Sequence, residues 1–268
     1  MSTADRNGDK SNTMQEMVHT EKRDGVFVIT INRPEVRNAV NYDCAVQMAR
    51  AFDELDADPE LRIGILTGTG KGFSAGMDLK AFAQTRQRPR IDDRGLAGFA
   101  EKPPTKPLIA AVEGFALAGG FEMMLACDMV VAARDAKFGV PETKRGLVPG
   151  SGGMVRLPRR VPYPIAMEMV LTGDPITAER AYQFGLVNEL TEPGGALEGA
   201  LALAARISEN GPLAVRTAKH IMNAALDWPQ SEMFARQAPM MQHIFESEDA
   251  REGSLAFAEK RKPNWQGK

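Results

Sequence analysis

The sequence predicts an α/β protein with a helical C-terminal region. Between residues 25 and 133, short β-branched and apolar segments alternate with segments whose apolar residues recur at helical spacing. After Pro158 the helical pattern dominates, and we find no internal repeat or low-complexity segment. Strands mixed with helices, followed by helices alone, favour an α/β core that carries a helical appendage.

The expected strands are short, and Gly, Pro and Asn mark turns near them. The most apolar of them are typical of strands that are covered on both faces of a sheet. We expect strands at GVFVITIN (25–32), RIGILTGTG (62–70), PLIAAVEG (107–114), MVVAA (129–133) and KFGVPE (137–142).

The first helix is expected over residues 42–56, where Val46, Ala49, Phe52 and Leu55 share one face. Another helix should follow the Gly-Gly turn at 119–120. Later helices are predicted at 164–171, 177–184 with Thr177 as N-cap, 196–210, 212–225, 231–246 and 249–260.

These patterns divide the chain into a disordered polar tail (1–20), an α/β core (21–200) and a helical region (201–268). The least regular stretch, residues 85–105, is interpreted as a mobile loop or lid beside a binding site.

Composition excludes several classes of function. The formal net charge is −2 and no basic run is present, which argues against nucleic-acid or anionic-membrane partners. The longest apolar region, 107–133, contains three acidic residues and is too interrupted to span a bilayer. Cys44 and Cys127 lie far apart without a zinc-type spacing, so we expect reduced thiols in a cytoplasmic protein that has no secretory signal.

A serine-hydrolase interpretation arises from GFSAG at 72–76, which matches G-x-S-x-G after a predicted strand. Ser74 would be the nucleophile, with His220 or His243 as the base. Both histidines fall inside helical patterns, whereas a triad histidine normally lies on a loop, so this hypothesis is disfavoured. The neighbouring GTGKG segment lacks the spacing of a phosphate-binding P-loop.

A second candidate site is the strand-to-helix turn at Gly119-Gly120, where uncovered backbone N–H groups at a helix N-terminus suit a developing oxyanion. Glu122 would lie beside them, either as a catalytic group or only as a complement to the helix dipole. Glu142, next to a glycine-rich loop, is either its partner or a surface residue. If the two carboxylates met, burial and repulsion would separate their pKa values into a base and an acid.

Taken together, these segments resemble the crotonase superfamily, in its enoyl-CoA hydratase/isomerase family. That family has a ββα spiral core, similar to that of ClpP, and a helical C-terminal trimerisation region. The resemblance covers nearly all of the chain after the first twenty residues. It rests on GKGFSAGMDLK (70–80), AAVEGFALAGGFEMMLACDMVVAA (110–133), AKFGVPETKRGLVPGSGGMVRLPR (136–159), TGDPITAERAYQFGLVNEL (172–190) and SEDAREGSLAFAEKRKPNW (247–265).

The resemblance implies a site for acyl-coenzyme A thioesters. The amides of Met77 and Gly119 would form the oxyanion hole for a thioester enolate, and Glu122 and Glu142 match the two catalytic glutamates of enoyl-CoA hydratases. No cofactor is implied, since coenzyme A is part of the substrate, and the chain would form a trimer or hexamer. Coenzyme A contacts are implied for Val36, Arg37, Ala75, Met77, Asp78, Leu79 and Lys80, and from a neighbouring subunit for Phe257 and Lys260.

The glutamate pair favours addition of water across the 2,3 double bond, with Glu122 as base and Glu142 as acid. Met77 and Phe121 replace smaller residues of plainer hydratases, and three segments look close to carnitinyl-CoA dehydratase. A dehydratase therefore stays an alternative, as do a double-bond isomerase on the same fold and a non-catalytic acyl-CoA or RNA-binding scaffold.

Overall fold

The computed structural model describes residues 16–268. The strands are β1 (Val18–Arg23), β2 (Val26–Ile31), β3 (Ile63–Gly68), β4 (Arg90–Ile91), β5 (Gly95–Leu96), β6 (Leu108–Val112), β7 (Phe115–Leu117), β8 (Met129–Ala133), β9 (Lys137–Gly139), β10 (Ile176–Thr177) and β11 (Glu189–Thr191). The helices are α1 (Tyr42–Ala57), α2 (Leu79–Thr85), α3 (Gly119–Ala126), α4 (Gly153–Arg160), α5 (Tyr163–Thr172), α6 (Ala178–Gln183), α7 (Ala196–Ser208), α8 (Pro212–Ala224), α9 (Met233–Phe245) and α10 (Glu248–Glu259).

The main sheet has six strands in the order β1-β2-β3-β6-β8-β11. β1 and β2 form an antiparallel hairpin, and the other neighbours are parallel. Successive side chains of a strand face opposite sides of a sheet. Phe27, Ile29 and Ile31 accordingly enter the large core that contains α1 and α3, whereas Val26 and Val28 enter a second core on the other face.

The second core is closed by α7, which places Ala196, Ala200, Leu203 and Ala204 against the sheet. The predicted boundary at residue 200 falls inside this helix, and residues on both sides of it pack against the sheet. A second sheet, in the order β10-β9-β7, lies next to the segments that carry the candidate site.

The tail predicted at residues 1–20 is too long at its C-terminal end. β1 starts at Val18 and pairs along its full length with β2. Residues 1–15 of the predicted tail lie outside the described residues. The polar β1 sequence VHTEKR conceals the strand, since only Val18 of its side chains is buried.

The stretch at 85–105 is not a free loop throughout. It contains the short β4–β5 pair, and Leu96, Ala97, Phe99 and Ala100 are buried in the large core. Phe99 stacks on Phe52 of α1 with a ring separation of 4.3 Å. The second half of the predicted lid is therefore anchored by apolar contacts.

The last three helices pack in sequence, α8 on α9 and α9 on α10. The C-terminal segment returns to this group: Asp249 accepts hydrogen bonds from the amides of Gln266 and Gly267, and Trp265 Nε1 donates to Glu209 O. Within the described part of the chain, no helix combines the length and apolarity needed to cross a membrane.

Asn38 ties together the two loops that precede the candidate site. It is buried in a left-handed conformation (φ 53°), and its Oδ1 accepts from Arg33 N at 3.0 Å. Its Nδ2 donates to Thr69 O and Gly72 O at 2.8 and 2.7 Å. One amide side chain thus fixes the turn after β3 against the turn after β2.

Asn38→Ala should lower the free energy of unfolding by about 2–4 kcal/mol, because buried backbone groups lose their partners and alanine disfavours the left-handed backbone. Urea titrations at one protein concentration measure this. Asn223→Ala, on an exposed position of α8, is the control and should change it by less than about 0.5 kcal/mol. Equal losses in the two variants would contradict the role given to Asn38.

Candidate active site

Glu122 lies in the first turn of α3 and is only 3% exposed. Its Oε1 accepts hydrogen bonds from the backbone N–H groups of Ser151, at 2.6 Å, and Gly153, at 2.9 Å. Burial raises the pKa of the Glu122 carboxyl, and these two amides oppose that rise by stabilising the charged form. The carboxylate is therefore held in place by the backbone rather than by an ion pair.

Glu142 lies in the 3₁₀ turn Pro141–Arg145 that follows β9. Burial, together with the nearby charge of Glu122, raises the pKa of Glu142 to about 7. Its Oε2 is buried and has no hydrogen-bond partner among residues 16–268. Because the charge of one carboxylate acts on the other, the two acids predicted from the sequence converge on one site.

The loop that follows Glu142, residues 146–153, is rich in glycine for a geometric reason. Gly153 approaches Glu122 so closely that an added Cβ would lie 3.2 Å from Oε1 and 2.9 Å from Pro149 Cβ. Gly152 has φ 119°, a conformation that favours glycine. These positions let the loop bring its N–H groups onto the carboxylate.

The two backbone amides predicted as an oxyanion hole are adjacent. Gly76 has φ 91°, and a Cβ built on it would lie 2.6 Å from Gly119 N. Val40 N donates to Gly76 O, and Asp78 N donates to Val40 O, so the backbone on both sides of Met77 is bonded to Val40. The N–H group of Met77 itself points away from Val40. Within the described region, neither Met77 N nor Gly119 N donates a hydrogen bond, so both are available to a ligand oxygen.

Ala118 gives this turn its unusual shape. It has φ 51° and ψ −129°, a strained conformation for a residue with a Cβ, and its N–H is fixed to Gly139 O of β9 at 2.9 Å. The turn releases the first N–H groups of α3 toward the same side as Glu122. Strain at this position is consistent with a functional turn.

The serine-hydrolase hypothesis is wrong. Ser74 is fully buried, and its Oγ donates to Asn38 O and accepts from Gly76 N, so it shapes the turn instead of facing a substrate. His220 and His243 line a different cavity, between α8, α9 and the segment at 103–105.

The residues expected to contact coenzyme A have different environments. Asp78 is buried, pairs with Arg33 at 3.0 Å and caps α2 through the amide of Ala81, so its side chain is a structural group. Leu79 and Lys80, which follow it, are exposed on the first turn of α2.

The other expected contacts form a ledge next to the turn at 75–77. Val36 is half-buried, and Arg37 stacks its guanidinium 4.5 Å from the ring centroid of Phe115. Ala75 N donates to Arg37 O. Phe257 and Lys260 lie at the end of α10, whose helix neighbour is α9, and Phe257 is 87% exposed.

Sequence reasoning missed three residues of the site. Leu96 of β5 lies over Gly119, where an added Cβ would be 3.0 Å from its Cδ2. Asn38 holds the turn before the oxyanion amides, and Arg156 of α4 acts on Glu122 through its charge. Only Asn38 carried a signal, as a polar residue in a stretch dense in turn-forming residues. In the described residues no cluster of three or more potential metal ligands is present.

Comparisons with known proteins agree with this geometry. The model of the enoyl-CoA hydratase/isomerase family matches residues 21–268. Enoyl-CoA hydratase EchA19 of Mycobacterium tuberculosis is 42% identical over 92% of this chain and 96% of its own length. Carnitinyl-CoA dehydratase of Salmonella typhi is 41% identical over 95% of this chain and 100% of its own.

A solved structure agrees as well. The crystal structure of enoyl-CoA hydratase EchA1 from Mycobacterium marinum superposes with a TM-score of 0.92 at 56% identity, covering 94% of this chain and 99% of that one. The predicted crotonase fold, an α/β core with helices at the C-terminus, is confirmed. The chain therefore belongs to the enoyl-CoA hydratase/isomerase family and is an enzyme of this class.

Proposed function

We propose that the chain is an enoyl-CoA hydratase that reversibly adds water across the 2,3 double bond of an acyl-CoA thioester. Enzymes of this family act on CoA thioesters. The single observation that carries the proposal is the meeting of the buried Glu122 with the half-buried Glu142, near two adjacent amides that donate to no partner among residues 16–268.

The amides of Met77 and Gly119 would bind the thioester carbonyl oxygen. As water adds at Cβ, negative charge moves onto that oxygen and forms an enolate. Two preorganised donors stabilise this charge more in the transition state than in the substrate, and each donor contributes roughly 2.7–4 kcal/mol in comparable sites. Gly119 also adds the positive end of α3 to the hole.

The two carboxyl groups differ in a way that suits acid and base. Glu122 accepts two backbone hydrogen bonds, which favour its charged form, so it would take the proton from the attacking water. Glu142 has a pKa of about 7 and an unpartnered oxygen, so it would hold a proton and deliver it to Cα. After one turnover, proton exchange with solvent restores both groups.

The remaining parts of the proposal concern binding and assembly. The ledge at Val36, Arg37 and Ala75, with the start of α2, would hold coenzyme A, and no cofactor beyond it is needed. Exposed apolar side chains on α8 to α10 support a trimer or hexamer in which Phe257 and Lys260 reach a neighbouring subunit's ligand. The buried, unpaired thiols of Cys44 and Cys127 fit a reducing compartment, so a cytoplasmic location stays in the proposal.

The same site supports the reverse reaction, and the resemblance to carnitinyl-CoA dehydratase favours that alternative. Dehydration of a 3-hydroxyacyl thioester uses the same groups in the opposite order. A double-bond isomerase is less well supported, because it needs no water-activating pair and Glu142 faces Glu122.

Glu122→Gln and Glu142→Gln should each lower kcat for hydration by about 10²–10⁴-fold, because each removes one proton-transfer group. Thioester affinity should change little. Loss of enoyl absorbance measures the rate, and calorimetry with a saturated acyl-CoA measures binding. Glu179→Gln, exposed on α6, is the matched control. Wild-type rates in both active-site variants would rule out the assigned chemistry.

Gly119→Ala should lower kcat/KM by about 10²-fold, since the new methyl would lie 3.5 Å from Met77 N and obstruct the oxyanion hole. The same assay measures this. Gly211→Ala introduces a methyl that meets only ordinary contacts, at 3.6 Å from Trp265, and should keep full activity. Matching activity losses in the two variants would argue against a hole at Gly119.

The pKa of Glu142 predicts a pH effect on stability. The folded-state pKa of about 7 exceeds the ordinary value of 4.5, so the folded protein binds more protons between these pH values, and its stability falls as pH rises through that range. Glu142→Gln removes this loss. Its melting temperature relative to wild type should therefore rise by about 2 °C or more between pH ~5 and pH ~8 in calorimetry. A pH-independent difference would show that Glu142 titrates normally.

A further inference from the structure

Arg156 reaches back over the loop that holds Glu122. It lies on α4, one turn after Gly153, whose amide binds the Glu122 carboxylate. Its Nη1 occupies the space in which Gly152 would carry a side chain, since a Cβ built there would lie 2.3 Å away. Gly152 lies between Ser151 and Gly153, whose N–H groups donate to Glu122 Oε1. The guanidinium therefore lies directly beside the loop that binds this carboxylate.

Within the described residues, this guanidinium is not bonded to any partner. Other partly buried arginines of the described chain are paired: Arg33 binds Asp78, and Arg160 Nη2 donates to Cys127 O at 2.8 Å. Between residues 16 and 268, the half-buried Arg156 side chain forms neither an ion pair within 4.0 Å nor a hydrogen bond. A partly desolvated cation without a bonded partner is costly, and its retention here requires a compensating charge.

The charged groups around Glu122 come from three elements. Arg156 of α4 favours its ionised form, whereas Glu101, from the segment after β5, and Glu142, from the 3₁₀ turn after β9, add negative charge to the site. Arg156 itself faces Arg160, Glu101, Glu122 and Cys127. Arg90 forms an ion pair with Glu101 through both oxygens, which offsets part of that negative charge.

We infer that Arg156 is a positioning residue whose charge, applied across the Gly152 gap, keeps Glu122 ionised as the base that activates water. The inference rests on the proposed hydratase function. Its physical basis is that burial acts against the charge on Glu122. Among residues 16–268, the two amide hydrogen bonds are the only ones that support this charge directly. A nearby cation that does not bond to the carboxylate supports its charge while leaving Oε2 available for water.

Arg156→Met should move the acidic limb of the kcat/KM–pH profile upward by about one pH unit. Activity at pH values below the limb should therefore fall about tenfold and recover at higher pH. A four-carbon 2-enoyl-CoA is the probe. The control is Arg159→Met on the same helix, where the arginine is exposed and pairs loosely with Asp227 at 3.6 Å. That control should leave the limb in place.

Two more variants separate charge from packing. Arg156→Lys keeps the charge and should restore at least half of the shift, whereas Glu101→Gln removes a negative charge and should move the limb in the opposite direction. If Arg156→Met fails to fold, Arg156→Gln, which removes the charge but keeps a polar side chain, replaces it in both measurements. An unshifted limb in folded Arg156→Met, an equal shift in Arg159→Met, or an upward shift in Glu101→Gln overturns the inference.

A direct measurement keeps this test independent of the hydratase proposal. With ¹³C-labelled glutamate, the carboxyl resonance missing from Glu122→Gln is assigned to Glu122, and its titration is followed in wild type and in Arg156→Met. We expect its midpoint to rise by about one pH unit in the variant. A midpoint that rises in a protein without hydratase activity would refute the proposed function alone, and an unchanged midpoint would refute the role of Arg156 alone.

Discussion

Burial of two carboxyl groups beside backbone N–H donors is the constraint on which the rest of the site depends. Taking Glu122 and Glu142 out of water disfavours their charges, and the protein compensates unequally. Glu122 receives two amide hydrogen bonds from the glycine-rich loop, whereas one oxygen of Glu142 has no partner in the part of the chain that the structure describes. This unequal hydrogen bonding depends on the relative positions of three segments: the glycine-rich loop, the turn at the start of α3 and the 3₁₀ turn after β9. The large core beneath them supplies the rigidity.

Close backbone approach is the means by which these loops meet. At Gly76 and Gly119 the chains are near enough that a side chain would separate the two oxyanion amides, and at Gly152 the missing side chain leaves room for a guanidinium. Asn38 and Ser74 then fill the polar interior of the same turns with hydrogen bonds to carbonyl groups. The geometry of the candidate site is therefore set mostly by backbone positions.

The sequence predicts the apolar strands and the long helices well, because strand and helix periodicities are properties of short segments. β8 matches its predicted range, and the last three helices differ from theirs by one or two residues at each end. β1 was missed because its side chains are mostly solvated, and α4 because Gly153 and Pro158 are poor helix formers that tertiary packing overrides. The sequence identifies Glu122 and Glu142 as candidate residues. It does not show that they converge, because their meeting depends on contacts between segments twenty residues apart. Arg156 gave no signal, because an arginine in a helix is ordinary until its neighbours are known.

The electrostatic asymmetry also explains why one site can serve hydration and dehydration. Water addition requires one ionised and one protonated carboxyl group, and the reverse reaction requires the same pair with the proton exchanged. In a site with two equal carboxyl groups, the shared proton would lie on either group with equal probability, so neither would have a fixed role as acid or base. Here the amides favour charge on Glu122, while its negative charge helps to retain the proton on Glu142. The direction of net reaction then follows the concentrations of enoyl and hydroxyacyl thioesters, because a catalyst lowers the barrier equally from both sides. In the proposed site, selectivity among thioesters would come from side chains near the two amides, such as Leu96 over Gly119, and not from the carboxyl pair.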